Sequence, residues 1–149
     1  MREPFQVLVI LYKIIDLKLH VAIFHRRSGD YWQFVSGGKE DTDENLYESV
    51  KREVVEETGL IVNNITNLAT TTSIPAIYFS AFDETEFILV TEKCFACDIT
   101  HIEKPIVLSK EHDKYRFVDV ANANAILKWD SNKVALYELE KLLKKEHKL

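Results

Sequence analysis

Between Phe5 and Tyr12 the chain reads Phe-Gln-Val-Leu-Val-Ile-Leu-Tyr. Successive residues of a strand point to opposite faces, so Val7, Val9 and Leu11 share one side and Leu8, Ile10 and Tyr12 the other. Both sides are apolar. Such a strand needs cover above and below, which makes it a central strand of a sheet layered on both faces. Leu17–Phe24 reads as a second strand, joined through Lys13–Asp16, and Arg26–Asp30 as a turn. Tyr31–Val35 is a short aromatic strand. Ser36-Gly37-Gly38 is expected to break it, with a polar loop to Asp43. From Glu44 to Thr58 the period becomes helical: Leu46, Val50 and Val54 fall at i, i+4 and i+8. Asp41 followed by Glu44 predicts the cap, and Gly59 the stop. Leu60–Thr72 mixes strand and loop signals, and Ile74–Asp83 reads as a loop. Phe87–Ile99 reads as one or two strands and Tyr115–Val120 as another. Ala121–Trp129 and Val134–Lys148 read as helices. This order predicts an α/β fold in one domain, residues 1–149, with a mixed sheet between helices.

The net charge is −5 and the pI about 5.5. No basic stripe occurs outside the last helix, which argues against a nucleic-acid polymer as partner. An acidic protein acting on an anionic phosphate compound needs a cation between them. The two cysteines, Cys94 and Cys97, form a C-x-x-C pair. In a strand, positions three apart face opposite sides, and no second pair completes a zinc site. Two free buried thiols in a reducing cytoplasm are expected. No apolar run reaches the ~18 residues a membrane helix needs. Met1-Arg2-Glu3-Pro4 is not expected to open a signal peptide.

Projected at about 100° per residue, Glu53, Glu56 and Glu57 crowd within about 100° of helical arc. That arc adjoins the apolar stripe. Like charges at i and i+4 repel, more so when partly buried. A sequence selected for helix stability alone would avoid this arrangement, whereas a solvated acidic face would not adjoin the stripe. A hard divalent cation removes the conflict, because Mg²⁺ takes oxygen ligands and keeps waters to share with phosphate. Gly37 and Gly38, just before the helix, permit close backbone approach and positive φ.

Gly38, Glu44, Arg52-Glu53, Val54, Glu56-Glu57, Gly59 and Leu60 match all nine constrained positions of a 23-residue pattern. The segment resembles a Nudix box. That resemblance implies an α/β/α sandwich around a mixed sheet and a Mg²⁺-dependent phosphoanhydride hydrolase in which Mn²⁺ can substitute. It implies Glu56 and Glu57 as principal metal ligands, with Glu53 as a further ligand or the group that orients or deprotonates water. It also implies Arg52 as the group holding the carboxylates, Glu44 as their support, and the Gly37 carbonyl as a further metal ligand.

A looser likeness covers nearly the whole chain. His25-Arg26-Arg27, Tyr31-Trp32-Gln33, Ser109-Lys110-Glu111-His112 before Tyr115-Arg116-Phe117, and Trp129-Asp130-Ser131-Asn132 follow an order similar to dihydroneopterin triphosphate pyrophosphatases. By that resemblance Glu111 contributes to the active site; Glu92, Asp98 and Glu103 are the downstream acids to test if it does not. Arg27, Trp32, Gly38 and Lys39 are candidate substrate contacts, with Trp32 equally readable as core and Arg27 as a surface residue. Pro75 and Tyr78 conflict: their spacings from Leu60 resemble ADP-ribose and dinucleoside polyphosphate hydrolases respectively. The reading is a Mg²⁺-dependent pyrophosphohydrolase of a nucleoside triphosphate or dihydroneopterin-triphosphate-like small molecule. An idle nucleotide-binding module is the competing class, disfavoured because every box acid is present. Specificity is expected in Thr70–Thr85 and Ile99–Lys114. Monomer and homodimer both stay open.

Overall fold

The computed structural model describes residues 2–79 and 86–149. The central strand is β1 (Arg2–Ile15), longer than its apolar run. Its N-terminal half pairs antiparallel with β4 (Val35–Glu40), its C-terminal end antiparallel with β2 (Lys18–Arg26), and its other edge parallel with β6 (Leu89–Asp98). β3 (Tyr31–Gln33) and β7 (His112–Asp119) add to β2, and β5 (Ile65–Pro75) adds to β6. The sheet is therefore mixed.

Both faces of β1 are covered, as its alternation requires. Val7, Val9 and Leu11 pack with Val50 and Val54 of α1 (Leu46–Thr58). Leu8, Ile10 and Tyr12 pack with Ala123 of α2 (Val120–Ile126) and Leu136, Leu139 and Leu143 of α3 (Asp130–Lys145). Cys94 lies in the α3-side core and Cys97 in the α1-side core, both buried and free. Burial pushes each thiol up to about 12. Among the described residues, no helix is long and apolar enough to cross a membrane.

Several expectations need correction. First, β1 continues to Ile15 and turns on Asp16 and Leu17 alone, both with positive φ, so Lys13–Ile15 are strand. Second, Ser36-Gly37-Gly38 does not end in loop. It pairs with Leu8, Val7 and Gln6 of β1, and this non-local ladder outweighs glycine's poor strand propensity. Gly59, not Gly37 or Gly38, carries the positive φ. Third, Asn45 caps α1, its side chain accepting from the Glu48 N–H at 3.0 Å. Glu44 lies outside the helix, and Gly59 ends it at φ 75°. The expected Ile74–Asp83 loop begins as the end of β5 and a 3₁₀ turn over Ala76–Tyr78. Its remainder from residue 80, like the 80–85 part of the Thr70–Thr85 specificity segment, lies outside the described residues.

His25 fastens β2 to its neighbours. Its Nδ1 lies 2.7 Å from Asp113 on β7 and its Nε2 2.8 Å from Asp30 in the turn before β3. The hydrogen bond to Asp113, then that to Asp30, raises the imidazole above its ordinary 6.5. A raised pKa stabilises the fold fully below the unfolded value, and the contribution is lost as pH rises through the folded one. Asp113→Asn is expected to lower the His25 pKa seen by NMR titration and to flatten the loss of stability above pH 6.5. An unchanged His25 titration would show that Asp113 does not hold it.

Candidate active site

Arg52 organises the first turns of α1. Its Nε and Nη2 donate to the two oxygens of Asp43 at 3.1 and 2.9 Å, a bidentate fork. Nη2 also donates to the Gly38 carbonyl at 2.6 Å, and Nη1 to Glu53 at 2.9 Å and Glu56 at 3.4 Å. Asp43 is buried and also accepts from the Glu40 N–H and the Ser49 hydroxyl. Its hydrogen bonds to Arg52 dominate and hold its carboxyl down to about 2, against the pull of burial. Asp43, not Glu44, is the acid that Arg52 grips before the helix. Glu44 is exposed at the rim of an open groove shared with Arg52 and Glu56.

The box acids divide by exposure. Glu56 faces solvent, while Glu53 and Glu57 are 7% and 4% exposed. Glu53 lies against Gly37, where any Cβ would collide with its carboxylate. The glycine is needed for this close approach, in extended backbone. Burial pushes Glu53 up to about 7, with Arg52 opposing. Glu57 accepts from the Ser109 hydroxyl at 2.6 Å and from His112 Nδ1 at 2.9 Å. Burial raises Glu57, but the His112 and Ser109 hydrogen bonds outweigh it, so it ionises below its ordinary value. Glu111 lies beside Glu57; burial and then the Glu57 charge raise its pKa. Arg26 Nη1 stands 3.6 Å from Glu111, and Arg27 fixes its loop through Lys110 and Glu111 carbonyls at 3.1 and 2.9 Å.

His112 is 1% exposed and belongs to a buried polar chain. Trp129 Nε1 can only donate, so Gln33 Oε1 accepts from it at 3.3 Å. Gln33 Nε2 then donates to His112 Nε2 at 3.2 Å, which leaves the Nδ1 hydrogen for Glu57.

Of the residues read from sequence, Arg52, Glu53, Glu56, Glu57, Gly37, Gly38 and Glu111 come together. Lys39 does not reach outward: its ammonium pairs with Glu3 and donates to the Asp43 carbonyl at 3.0 Å. Trp32 packs against the α3-side core, across the sheet from α1, with Arg116 over its ring. Glu92 is also on that face. Asp43, Ser109, His112 and Gln33 were missed as site residues, although Ser109 and His112 flank the one acid singled out there. Among the described residues, no three His, Cys, Asp or Glu side chains already converge on one point as a metal cage. Glu53 and Glu56 turn to Arg52, and Glu57 to His112 and Ser109.

The NUDIX domain family matches residues 4–139. A Listeria monocytogenes protein described as a NUDIX hydrolase is 41% identical over 97% of each chain, with a TM-score of 0.87. The Escherichia coli dihydroneopterin triphosphate pyrophosphohydrolase is 27% identical over 91% of this chain and 93% of its own, with a TM-score of 0.72. A Caenorhabditis elegans Ap4A hydrolase, 15% identical over 95% and 98%, shares the fold at a TM-score of 0.73. No curated protein matches the chain. The chain belongs to the Nudix family and is a Nudix hydrolase. Family members generally use divalent metal ions.

Removing one side of a buried ion pair leaves the other unpaired, at a cost of about 3–5 kcal/mol. Asp43→Ala is expected to destabilise the protein by about 3 kcal/mol in urea unfolding, because Arg52 loses its fork. A loss under about 1 kcal/mol would move the anchor elsewhere.

Proposed function

We propose that this enzyme hydrolyses a phosphoanhydride bond in a nucleoside triphosphate or a dihydroneopterin-triphosphate-like small molecule, with Mg²⁺. The observation that carries the reading is the pair of buried carboxylates, Glu53 and Glu57, one helical turn apart beside exposed Glu56. Two buried acids with hard oxygen donors suit Mg²⁺, and Mn²⁺ by the same chemistry. Glu56 and Glu57 would hold the ion, with Glu53 and the Gly37 carbonyl completing the set. Bound there, it would neutralise phosphate charge and sharpen a water nucleophile.

The chain's own residues supply the rest. Arg52 holds Glu53 and orients Glu56, and His112 and Ser109 keep Glu57 ionised and aimed. Glu111 takes the proton from the attacking water. Its position beside Glu57, in the loop that Arg27 holds, puts it within reach of the acids. Arg27, on the exposed turn that grips the Glu111 loop, is the phosphate contact in this reading. The ring-triphosphate assignment leans on the 27% identity to the dihydroneopterin triphosphate enzyme. The buried free thiols accord with a cytoplasmic protein.

A hydrolysis screen with Mg²⁺ over nucleoside triphosphates, dihydroneopterin triphosphate, ADP-ribose and dinucleoside polyphosphates tests the activity. Turnover confined to the last two would replace this substrate class. Glu57→Gln is expected to slow turnover by about 10³-fold or more, the scale of losing a group that stabilises the transition state, while the protein stays folded. Near-normal rates in that variant would sink the ligand assignment. Glu111→Gln is expected to lower kcat by about 10²- to 10⁴-fold with little change in metal affinity. A kcat within about threefold would pass the role of base to Glu53, and a collapse of metal affinity would make Glu111 a ligand.

A further inference from the structure

On the face of the sheet that α3 covers, four residues stand in register across neighbouring strands: Gly38 on β4, Gln6 on β1, Glu92 on β6 and Thr72 on β5. The next residues inward on that face, Leu8 and Cys94, are 1% and 0% exposed and belong to the core. A row at the rim of an apolar core calls for apolar or small side chains. Here it carries a carboxylate that is 3% exposed. Gln6 Nε2 donates to Glu92 Oε2 at 3.0 Å. Glu92 Oε1 has no hydrogen-bond partner among the described residues. An unmatched buried acceptor is costly, and native proteins keep few of them without a use.

The row lies across the sheet from the box acids and meets their site through the Gly38 backbone. Gly38, paired with Gln6, gives its carbonyl to Arg52 at 2.6 Å. It adds no side chain beside Gln6. Burial raises the Glu92 carboxyl above its ordinary value, and Gln6, then Ser131 in the first turn of α3, oppose it. An ionised carboxylate only accepts, and offers about four lone-pair positions. Its best partner is a planar group with two N–H donors side by side.

We propose that Glu92, set by Gln6 and Ser131, forms the subsite that reads the substrate's ring, accepting from the adjacent N–H donors of a 2-amino-4-oxopyrimidine edge. Guanine and pterin share that edge. Adenine and cytosine place a bare ring nitrogen beside their amino group, so one lone pair would face the carboxylate. Uracil offers a single N–H between two carbonyl oxygens. The subsite rests on the phosphoanhydride reading above for which molecule brings the ring. A site built to pair a substrate's N–H groups discriminates strongly against analogues lacking them.

The test compares kcat/KM for GTP, dihydroneopterin triphosphate and ATP with Mg²⁺, in the wild type, Glu92→Gln and Glu92→Asp. The wild type is expected to prefer at least one of the first two over ATP by about 10²-fold, and both variants to bring that ratio within about threefold. Which of the two is favoured identifies the ring. A wild type that treats ATP equally, or a preference that survives in Glu92→Gln, overturns the subsite. Glu92→Gln should melt no lower than the wild type; if it fails to fold, the shortened carboxylate of Glu92→Asp decides. If no triphosphate is cleaved, the proposed activity fails by itself. Binding of GMP against AMP, followed by chemical-shift titration without metal, then judges the subsite: selective GMP binding lost in the variants supports it, and equal binding overturns it.

Discussion

The Arg52–Asp43 fork is the interaction on which the active site depends. Glu53, Glu56 and Glu57 share one arc of a short helix, and two of the three are buried. Left to themselves they would repel one another, more strongly for being partly buried. Arg52 spreads its donors over Asp43, Glu53, Glu56 and the Gly38 carbonyl, so it joins the turn after β4, the strand itself and the helix. Asp43 can serve because Ser49 and the Glu40 N–H fill the rest of its acceptor capacity. The pair is buried enough to be directional, and four partners compensate the arginine's desolvation.

Glu57 is managed differently. Among the described residues, no arginine reaches it. Its charge is matched by a hydroxyl and an imidazole N–H from the segment leading into β7, and the imidazole is set by Gln33 and Trp129 behind it. Each link in that chain has one workable donor–acceptor direction, so the hydrogen on Nδ1 follows from the indole N–H at the far end. Glu53 and Glu57 therefore carry different pKa directions on one helix turn: burial raises the first, and hydrogen bonds lower the second.

What the sequence made legible was local or periodic. The two apolar faces of β1, the Leu46–Val50–Val54 stripe, the Gly59 stop and the opposed cysteines depend on spacing along one element. The Nudix box carried the acids. What it did not reveal was non-local. Asp43 sits in a polar stretch with no period and matters only because Arg52 folds back on it. Ser109 and His112 meet Glu57 across 52 and 55 residues. Gly37 and Gly38 carry the local signature of a breaker, yet they extend because β1 offers them a ladder. Trp32 stands next to the box in sequence, but it falls on the α3 side with Phe34, two residues on.

That same alternation explains why two glycines stand together there. Gly37 pairs with Val7 on the α1 face, and Gly38 with Gln6 on the α3 face. At Gly37 a side chain would occupy the place of the Glu53 carboxylate. At Gly38 the backbone oxygen is spoken for by Arg52, and the bare Cα borders the Gln6–Glu92 row. One dipeptide thus clears both sides of a single strand, toward the box acids on one face and toward the buried carboxylate on the other. A strand that weak in propensity persists only because β1 pairs it along its length. The central strand therefore fixes both the core and the ground on which the two polar groups meet.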